Sequence, residues 1–380
     1  MPKKLRIGVI FGGRSGEHEV SIRSAQAIIQ SINQKKFDVV PIAINKEGKW
    51  LGPAQAAQLL PESVHSSLAL PFEDRSGDVA LLGDPSHKGL ISLQTENSQN
   101  SSPGTEKLDL VFPALHGPFG EDGTLQGLLE MADVPYVGCG VLASSCGMDK
   151  VTMKSLFVQA GLPICKHIWF LRSQWRENPD RLLRKVKSEI GLPCFVKPAN
   201  LGSSVGVSRA TNKKALTDAI DLAAEYDRKI IVEEEIEARE IECAILGNDQ
   251  PQASLPGEYV VYEESARFLD YTEKYANTGH VSFVVPAPLS KALTTRIQKM
   301  AVQAFQAVDG SGLARVDFFL NRKSGELLIN ELNTMPGLTE VSGYPKMWAA
   351  SGMNFTKLLE NLIELAFERH REKALTKTSR

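Results

Sequence analysis

The stretch Phe195–Ala210, which reads FVKPANLGSSVGVSRA, decides the fold because a glycine-serine loop joins two short apolar runs. The backbone N–H groups of such a loop can surround phosphate oxygens. It is not a Walker A sequence, since no Gly-Lys-Ser/Thr follows its glycines and no apolar helix starts there. Lys197 stands before the loop. We interpret the stretch as strand, flap and strand, with Lys197 either reaching phosphate as a point charge or lying along a strand edge.

Length and composition restrict the class of protein. A chain of 380 residues is too long for one ordinary core, and its 42% apolar and 23% charged residues are typical of a globular protein. The net charge of −2 gives no general attraction to nucleic acid or to an anionic membrane. The N-terminal apolar run, residues 7–11, is too short for a signal peptide, and no run of roughly eighteen apolar residues exists. The five cysteines include no Cys-x-x-Cys pair, so we expect reduced thiols in a cytoplasmic protein.

The first third of the chain predicts a parallel βαβ unit. The apolar run LRIGVIF (5–11) is followed by Ile22, Ala25, Ile29 and Ile32 at helical spacing and then by FDVVPIAI (37–44). A buried strand is predicted within 108–117, a helix within 123–132 and a strand at 134–138, whereas the polar tract 94–107 reads as a surface loop. We assign residues 1–145 to an N-terminal α/β domain.

The rest of the chain predicts two α+β lobes. Residues 146–240 contain a helix within 148–163, the two strands around the flap, a helix within 215–226 and a strand at 229–236. Residues 241–380 are rich in strand patterns and end in the amphipathic helix 354–372. The predicted fold class is therefore mixed α/β and α+β with three domains.

The segment 312–337, GLARVDFFLNRKSGELLINELNTMPG, predicts a β-hairpin that carries polar side chains on one face. Alternation along a strand puts Arg315 and Asp317 on one face of the first strand, and Glu331 and Asn333 on one face of the second. Oxygen ligands of this kind suit Mg²⁺. The spacing fits equally a salt-bridged face in which Arg315 neutralises the acids.

The glycine-rich segment FGGRSGEHE (11–19) admits a different class of protein, a nicotinamide-dependent oxidoreductase. The spacing Gly-Gly-x-x-Gly departs from Gly-x-Gly-x-x-Gly, and no acidic residue closes the second strand. Glu17 and Glu19 put negative charge at the helix start, where a carboxylate complements the helix dipole or receives an ammonium group. The oxidoreductase interpretation is therefore disfavoured.

His116 follows a predicted strand, which is where ligands bind in open α/β sheets.

Seven short motifs follow one another through nearly the whole chain, namely GGRSGEHEVS (12–21), ALHGPFGEDGTLQG (114–127), GMDK (147–150), VKPANLGSSVGV (196–207), DYTEKY (270–275), ARVDFFL (314–320) and NELNTMPGLT (330–339). In this order they resemble the ATP-grasp enzymes and, more narrowly, the bacterial D-alanine–D-alanine ligase family. The resemblance implies a three-domain ATP-grasp fold, with 195–210 as the flap over the ATP phosphates.

The resemblance also implies roles for individual residues. The predicted ATP-binding residues are Lys150, Lys197, Ser204, Glu233, Glu234, Ile236, Glu240 and Lys274. Asp317, Glu331 and Asn333 are implied as ligands of two Mg²⁺ ions, for which Mn²⁺ can substitute. The implied catalytic residues are Glu17, Ser203, Tyr275 and Arg315, of which Arg315 would stabilise the tetrahedral oxyanion. His116 is implied beside the first substrate and Ser342 beside the second, and Gly337 is implied as a further substrate-binding residue.

The implied reaction joins two D-alanine molecules through an acyl phosphate, for peptidoglycan synthesis, in a protein whose relatives are commonly homodimers. The alternative within the family is ligation of D-alanine to D-lactate, against which the Glu-Lys-Tyr pattern at 273–275 argues. The polar segment 263–283 is expected to be a mobile loop that closes over the site, because it carries Lys274 and Tyr275.

Overall fold

The computed structural model of the chain describes residues 3–69, 77–93, 105–202, 204–261 and 281–377. These residues form three β-sheets with helices packed against them. The strands are β1 Leu5–Gly12, β2 Phe37–Ile44, β3 Trp50–Leu51, β4 Asp78–Leu81, β5 Gly89–Leu93, β6 Thr105–Lys107, β7 Leu110–Pro113, β8 His167–Leu171, β9 Cys194–Pro198, β10 Ser208–Ala210, β11 Lys229–Glu234, β12 Ala238–Gly247, β13 Gln252–Ala253, β14 Gly257–Val261, β15 Val281–Val284, β16 Gly312–Asn321 and β17 Leu327–Asn333. The helices are α1 His18–Ser31, α2 Pro53–Gln58, α3 Thr124–Met131, α4 Val141–Met148, α5 Lys150–Gln159, α6 Arg172–Glu177, α7 Pro179–Glu189, α8 Lys213–Tyr226, α9 Lys291–Ala307, α10 Gly343–Ala350 and α11 Phe355–Lys373, with a short 3₁₀ helix at Glu62–Ser67.

The first sheet has the strand order β6-β5-β4-β3-β2-β1-β7. β1 pairs in parallel with both β2 and β7, which confirms the predicted βαβ unit. Residues 7–12 of β1 are all buried, as expected for a parallel strand covered on both faces. The carboxyl ends of β1 and β7 therefore open at the same edge, next to the glycine-rich segments that follow them.

Two local predictions in this region were wrong. Residues 105–107 lie in the tract predicted to be a loop, yet they form β6, a three-residue edge strand that pairs with β5. So short a strand has no alternation to detect. The predicted strand 134–138 forms only an isolated bridge between Val111 and Tyr136, and Pro135 lacks the N–H that a longer ladder would use. Residues 94–104 lie outside the described part.

The second sheet is antiparallel, with the strand order β10-β9-β11-β8. β9 and β10 are the two strands predicted around the flap, and Lys197 pairs with Ile231 on β11. Helices α7 and α8 cover this sheet through Leu183, Val186 and Ile220. α8 confirms the helix predicted within 215–226, and its buried residues lie on the face that packs against the sheet.

The third sheet has the order β15-β14-β12-β16-β17, with β13 paired to β12. β16 and β17 form the predicted hairpin, and their register places Arg315 opposite Asn333 and Asp317 opposite Glu331. The register shifts directly after Asp317, which marks a bulge beside the polar face.

The apolar cores join segments that are distant in sequence. Met153 and Phe157 of α5 pack into the core under the third sheet, with Val316 and Ile329. The C-terminal helices α10 and α11 pack instead against the core of the first sheet. The three sheets follow one another along the chain, and the domain limits 1–145, 146–240 and 241–380 remain predictions. No helix in the described ranges is long and apolar enough to cross a membrane.

Candidate active site

A cleft lies between the second and third sheets, and many of the predicted nucleotide and metal residues line it. The predicted residues on its wall are Lys150, Lys197, Ser204, Glu240, Glu331 and Asn333. Gly202 of the flap and Glu121, which follows β7, close other sides. Ser204 has φ = 57°, and this left-handed residue turns the flap back toward β10. The tertiary fold thus brings together residues from five separate sequence motifs.

Lys150 reaches the cleft from the first turn of α5. Asp149 caps this helix, because its Oδ1 accepts hydrogen bonds from the N–H groups of Val151 and Thr152. The Nζ of Lys150 donates to the carbonyl of Leu201 at 2.8 Å and lies 3.7 Å from Glu331 Oε2. Lys150 therefore links the flap to the hairpin at the position where the resemblance puts phosphate.

Lys197 and Glu233 lie against each other on β9 and β11. Lys197 Nζ is 2.6 Å from Glu233 Oε2, and Lys154 Nζ is 3.0 Å from Glu233 Oε1. Burial by itself raises the pKa of Glu233, but the two ammonium groups outweigh it and hold the pKa below its usual value. For Lys197 the attraction of Glu233 outweighs burial and raises the pKa. All three groups are charged at neutral pH.

The predicted ATP-binding residues from Glu233 to Glu240 lie along the end of β11, the connection after it and the start of β12. Glu234 Oε1 accepts a hydrogen bond from the backbone N–H of Lys166 at 2.7 Å. This side chain therefore links the end of β11 to the residue that precedes β8. Ile236 follows the strand and is half-buried. Glu240 lies on β12 opposite Phe319, and both line the cleft. A contact to a purine at Glu234 would therefore come from the backbone, and these nucleotide contacts remain predictions.

The polar face of the hairpin is assembled as the alternation predicted. Arg315 donates from Nε and Nη2 to the two oxygens of Asp317, both at 2.6 Å. Asn333 Nδ2 donates to Asp317 Oδ2 at 3.1 Å. Arg315 Nε also lies 3.1 Å from Glu242 Oε1. Both readings of this face, metal site and salt-bridge cluster, are therefore compatible with its geometry.

The donor set of this face fits Mg²⁺ by its chemistry. Carboxylates directly opposite each other on neighbouring strands, as Asp317 and Glu331 are, repel unless a cation lies between them. Two carboxylates and one amide oxygen, supplemented by phosphate oxygens, are ligands that Mg²⁺ accepts. Within the described ranges no group of three or more His, Cys, Asp or Glu side chains is arranged to hold a metal ion. A metal here would therefore depend on the amide of Asn333 and on the nucleotide.

Glu17 lies where the two glycine-rich loops and the flap converge. A Cβ added at Gly117 would be 2.9 Å from Glu17 Oε2, and one added at Gly202 would be 3.1 Å from the same oxygen. That Cβ at Gly202 would also lie 3.8 Å from Oε1 of Glu121. Burial and then the negative charge of Glu17 raise the pKa of Glu121 to about 8. Glu121 is thus largely protonated at neutral pH beside the predicted ammonium-binding carboxylate.

His116 is buried and hydrogen-bonded through both ring nitrogens. Nδ1 lies 3.2 Å from the carbonyl of Met335, and Nε2 lies 3.0 Å from the hydroxyl of Ser24. A carbonyl can only accept, so Nδ1 carries the proton and Nε2 accepts from Ser24. Burial lowers the pKa of His116, against the opposing attraction of Glu17. His116 thus ties β7 to the segment after β17, and its predicted contact with the first substrate remains a prediction.

Ser342 and Gly337 form a tight turn before α10. The hydroxyl of Ser342 lies 2.7 Å from that of Thr339, and a Cβ at Gly337 would lie 2.7 Å from Ser342 Oγ. Ser342 is also the N-cap residue of α10, where N–H groups attract anions. The two residues therefore lie together, and their substrate-binding roles remain predictions.

Three predicted site residues, Ser203, Lys274 and Tyr275, lie outside the described residues, as does most of the predicted lid segment 263–283. The sequence reasoning missed Lys154, Glu121 and Glu242. The sequence contained signals for two of them. Lys154 follows Lys150 by four residues on one helix, and Glu242 alternates with Glu240 along one strand.

Comparison with known proteins gives one consistent answer. Family profiles described as "D-ala D-ala ligase N-terminus" and "D-ala D-ala ligase C-terminus" match residues 6–139 and 156–364. The chain is 48% identical over 377 residues to a D-alanine–D-alanine ligase of Heliobacterium modesticaldum, covering 99% of this chain and 98% of the relative. It is 48% identical over 369 residues to that of Bacillus velezensis, covering 97% and 99%.

Solved structures agree with the fold. The D-alanine–D-alanine ligase of Coxiella burnetii is 35% identical with a TM-score of 0.79, covering 98% of this chain and 97% of that chain. The VanG D-Ala:D-Ser ligase of Enterococcus faecalis is 37% identical with a TM-score of 0.80, covering 96% and 100%. These neighbours confirm the predicted mixed α/β, ATP-grasp architecture. With both halves matched by family profiles and relatives aligned over nearly its full length, the chain belongs to the D-alanine–D-alanine ligase family.

Proposed function

We propose that the protein is an ATP-dependent ligase that joins two D-alanine molecules into D-alanyl-D-alanine, releasing ADP and phosphate, for peptidoglycan synthesis. The observation that carries the proposal is the cleft in which Lys150 and Lys197 face Glu331 and Asn333. Such a cleft joins phosphate-binding cations to metal-binding oxygens, as phosphoryl transfer requires. The family membership supplies the identity of the two amino acids.

The reaction needs activation because a carboxylate oxygen is a poor leaving group. Transfer of the γ-phosphoryl group of ATP to the carboxylate of the first D-alanine makes an acyl phosphate. The neutral amine of the second D-alanine attacks its carbonyl, and phosphate leaves. Lys150, Lys197 and the N–H groups of the flap spread the negative charge of the transferring group. No covalent bond to the protein is required.

Two Mg²⁺ ions, held by Asp317, Glu331 and Asn333, complete the proposal. Bound there, Mg²⁺ would neutralise phosphate charge and orient the phosphoryl group for in-line transfer, and Mn²⁺ offers the same chemistry. The face supports this assignment because it places two carboxylates opposite each other. Arg315, which adjoins these residues, is assigned to the oxyanion of the tetrahedral intermediate.

The amino acids are assigned to the two ends of the cleft. Glu17 would receive the ammonium group of the first D-alanine, since its carboxylate lies between Gly117 and Gly202. His116, which is neutral and buried, would fix the loop beside that substrate. The turn of Gly337 and Ser342, at the start of α10, would bind the carboxylate of the second D-alanine.

The proposal includes a cytoplasmic homodimer. Consumption of ATP is the reason for the location, and the resemblance to the family is the reason for the dimer. Multi-angle light scattering of the purified protein would report the molar mass directly. A mass near 41.6 kDa would refute the dimer and leave the catalytic proposal intact.

The test is ADP release with defined amino acids. We expect release to require ATP, Mg²⁺ and D-alanine, and L-alanine to fail. Because one solved relative carries the name D-Ala:D-Ser ligase, D-serine and D-lactate are added separately to D-alanine, and the products are separated by mass. Dominant formation of D-alanyl-D-alanine supports the proposal. Dominant mixed products reassign the second substrate, and equal turnover with L-alanine refutes the substrate class.

A further inference from the structure

A buried group of three charged side chains lies directly behind the wall of the cleft. We call Lys154, Glu233 and Lys197 the lysine–glutamate cluster. The exposed fractions of these side chains are 1%, 3% and 14%, respectively. Only Lys197 of the three reaches the lining of the cleft. The cluster therefore presents one cation to the cleft and hides a carboxylate and a second cation behind it.

Lys154 is held by groups of the protein interior. Its Nζ lies 3.0 Å from Glu233 Oε1, 3.0 Å from the carbonyl oxygen of Asn330 and 3.7 Å from the sulfur of Cys165. The carbonyl and the sulfur take two of the three ammonium donors, and the carboxylate of Glu233 lies beside the ammonium group as an ion pair. Burial alone would lower the pKa of Lys154, but the attraction of Glu233 outweighs it. Lys154 is thus a buried cation that is not among the residues lining the cleft.

The charges of the cluster explain why a second lysine matters. Lys197 and Glu233 alone form a pair at 2.6 Å with no net charge. A phosphate approaching such a pair would meet a lysine already neutralised and a repelling carboxylate behind it. With Lys154 on the other carboxylate oxygen, the cluster carries a net charge of one positive unit. This positive charge can act on a ligand in the cleft only through Lys197, because Lys197 is the one member of the cluster that lines the cleft.

We propose that Lys154 is a positioning residue of the nucleotide site, which shares the carboxylate of Glu233 and thereby leaves Lys197 with net positive charge for a phosphate group. Lys154 never contacts the nucleotide. The inference rests on the proposed function, since it takes the cleft to bind ATP. The competing explanation is purely structural, because Lys154 also ties α5 to β17 through Asn330.

The two explanations differ in which ligand they affect. A loss of packing would weaken every ligand of the cleft to a similar degree. A loss of net charge at Lys197 would weaken a ligand with phosphates and spare one without. The ratio of the ADP affinity to the adenosine affinity therefore reports the charge, because both ligands share the adenine and ribose contacts.

The experiment measures binding of ADP, with Mg²⁺, and of adenosine by calorimetry to the full chain. We expect Lys154→Met to lower the ADP-to-adenosine affinity ratio about tenfold, the scale of one charge beneath a partly buried site. Lys213→Met is the matched control, because this lysine is exposed and pairs with the exposed Asp180 on the same lobe. It should leave the ratio unchanged. Circular dichroism and thermal unfolding establish that each variant is folded, and Lys154→Gln replaces Lys154→Met if the latter is not.

A double variant supplies the rescue. Adding Glu233→Gln to Lys154→Met removes the carboxylate together with its second cation, so the cluster regains one positive unit at Lys197. We expect the affinity ratio to recover at least partly, although adenosine itself binds less well if Glu233 contacts the adenine. An unchanged ratio in the single variant, or no recovery in the double variant, overturns the role of Lys154. Failure of the wild-type protein to bind ADP at all overturns the proposed function, which is a different result.

Discussion

Arg315 donates two parallel hydrogen bonds of 2.6 Å to the carboxylate of Asp317, which lies directly opposite Glu331 on the neighbouring strand. A bidentate pair of this kind is among the stronger polar contacts in proteins. It also means that Asp317 can ligate a metal only by sharing its oxygens with Arg315 or by releasing it. The cation that would bind the oxyanion and the carboxylate that would bind Mg²⁺ are therefore held together before any ligand arrives.

This relationship predicts distinct effects at the hairpin. We expect Asp317→Asn and Glu331→Gln to abolish turnover nearly completely in folded protein, because each removes a charged oxygen ligand. Arg315→Ala should lower kcat by roughly 10²–10³, the usual effect of removing one oxyanion donor. Steady-state ADP release at saturating Mg²⁺ is the measurement. Lys323→Gln, at an exposed lysine of the hairpin turn, should have no effect. Near-normal rates in all three site variants would identify the face as a salt-bridge cluster only.

The raised pKa of Glu121 predicts a pH dependence of stability. The pKa is about 8 in the folded chain, against 4.5 for an unperturbed glutamate. Between these values the folded state keeps a proton that the unfolded state has lost, so this group lowers the free energy of unfolding as pH rises from about 4.5 to 8. Glu121→Gln mimics the protonated carboxyl and can still accept from Gly117, whose N–H lies 2.8 Å from Oε1.

Urea unfolding of the wild type and of Glu121→Gln at several pH values is the measurement. The advantage of the variant should grow by at least about 1 kcal/mol between pH 5 and pH 8, since one pKa unit corresponds to about 1.4 kcal/mol. It should level off only about one pH unit above the folded-state pKa, where the wild-type carboxyl has lost its proton. A difference that stays flat across this window would show that Glu121 ionises normally beside Glu17.

At Gly12, the last residue of β1, we expect a single added methyl group to lower the free energy of unfolding substantially. Its φ is +90°, and a Cβ there would lie 2.2 Å from the carbonyl oxygen of Ile44, which accepts the N–H of Gly13 at 2.7 Å. Gly12→Ala should cost at least about 2 kcal/mol, from the left-handed backbone and from the displaced strand. Gly16→Ala is the matched control, because a Cβ there meets nothing within 4 Å.

Thermal and urea unfolding of both glycine variants is the measurement. Gly16→Ala should lie within about 0.5 kcal/mol of the wild type, as surface substitutions usually do. Equal losses in the two variants would mean that the segment after β1 tolerates no side chain for a reason other than the contact with Ile44.

The sequence by itself determined the local elements and the face that each residue occupies. The alternation of Arg315, Asp317, Glu331 and Asn333 is a property of extended chains, so the shared face followed from spacing once the hairpin turn was located. The βαβ unit at the N-terminus followed in the same way from apolar periodicity. The family resemblance depended on motifs that each lie within a few consecutive residues.

Only the tertiary structure decided which of these elements meet. The cluster of Lys154, Glu233 and Lys197 joins a helix to two strands, and no spacing along the chain relates residue 154 to residue 233. The pKa of Glu121 likewise depends on burial and on Glu17, more than a hundred positions earlier in the chain. The physical reason is that Coulomb interactions and desolvation depend on distance in space and on the surrounding dielectric, whereas periodicity depends only on order along the backbone.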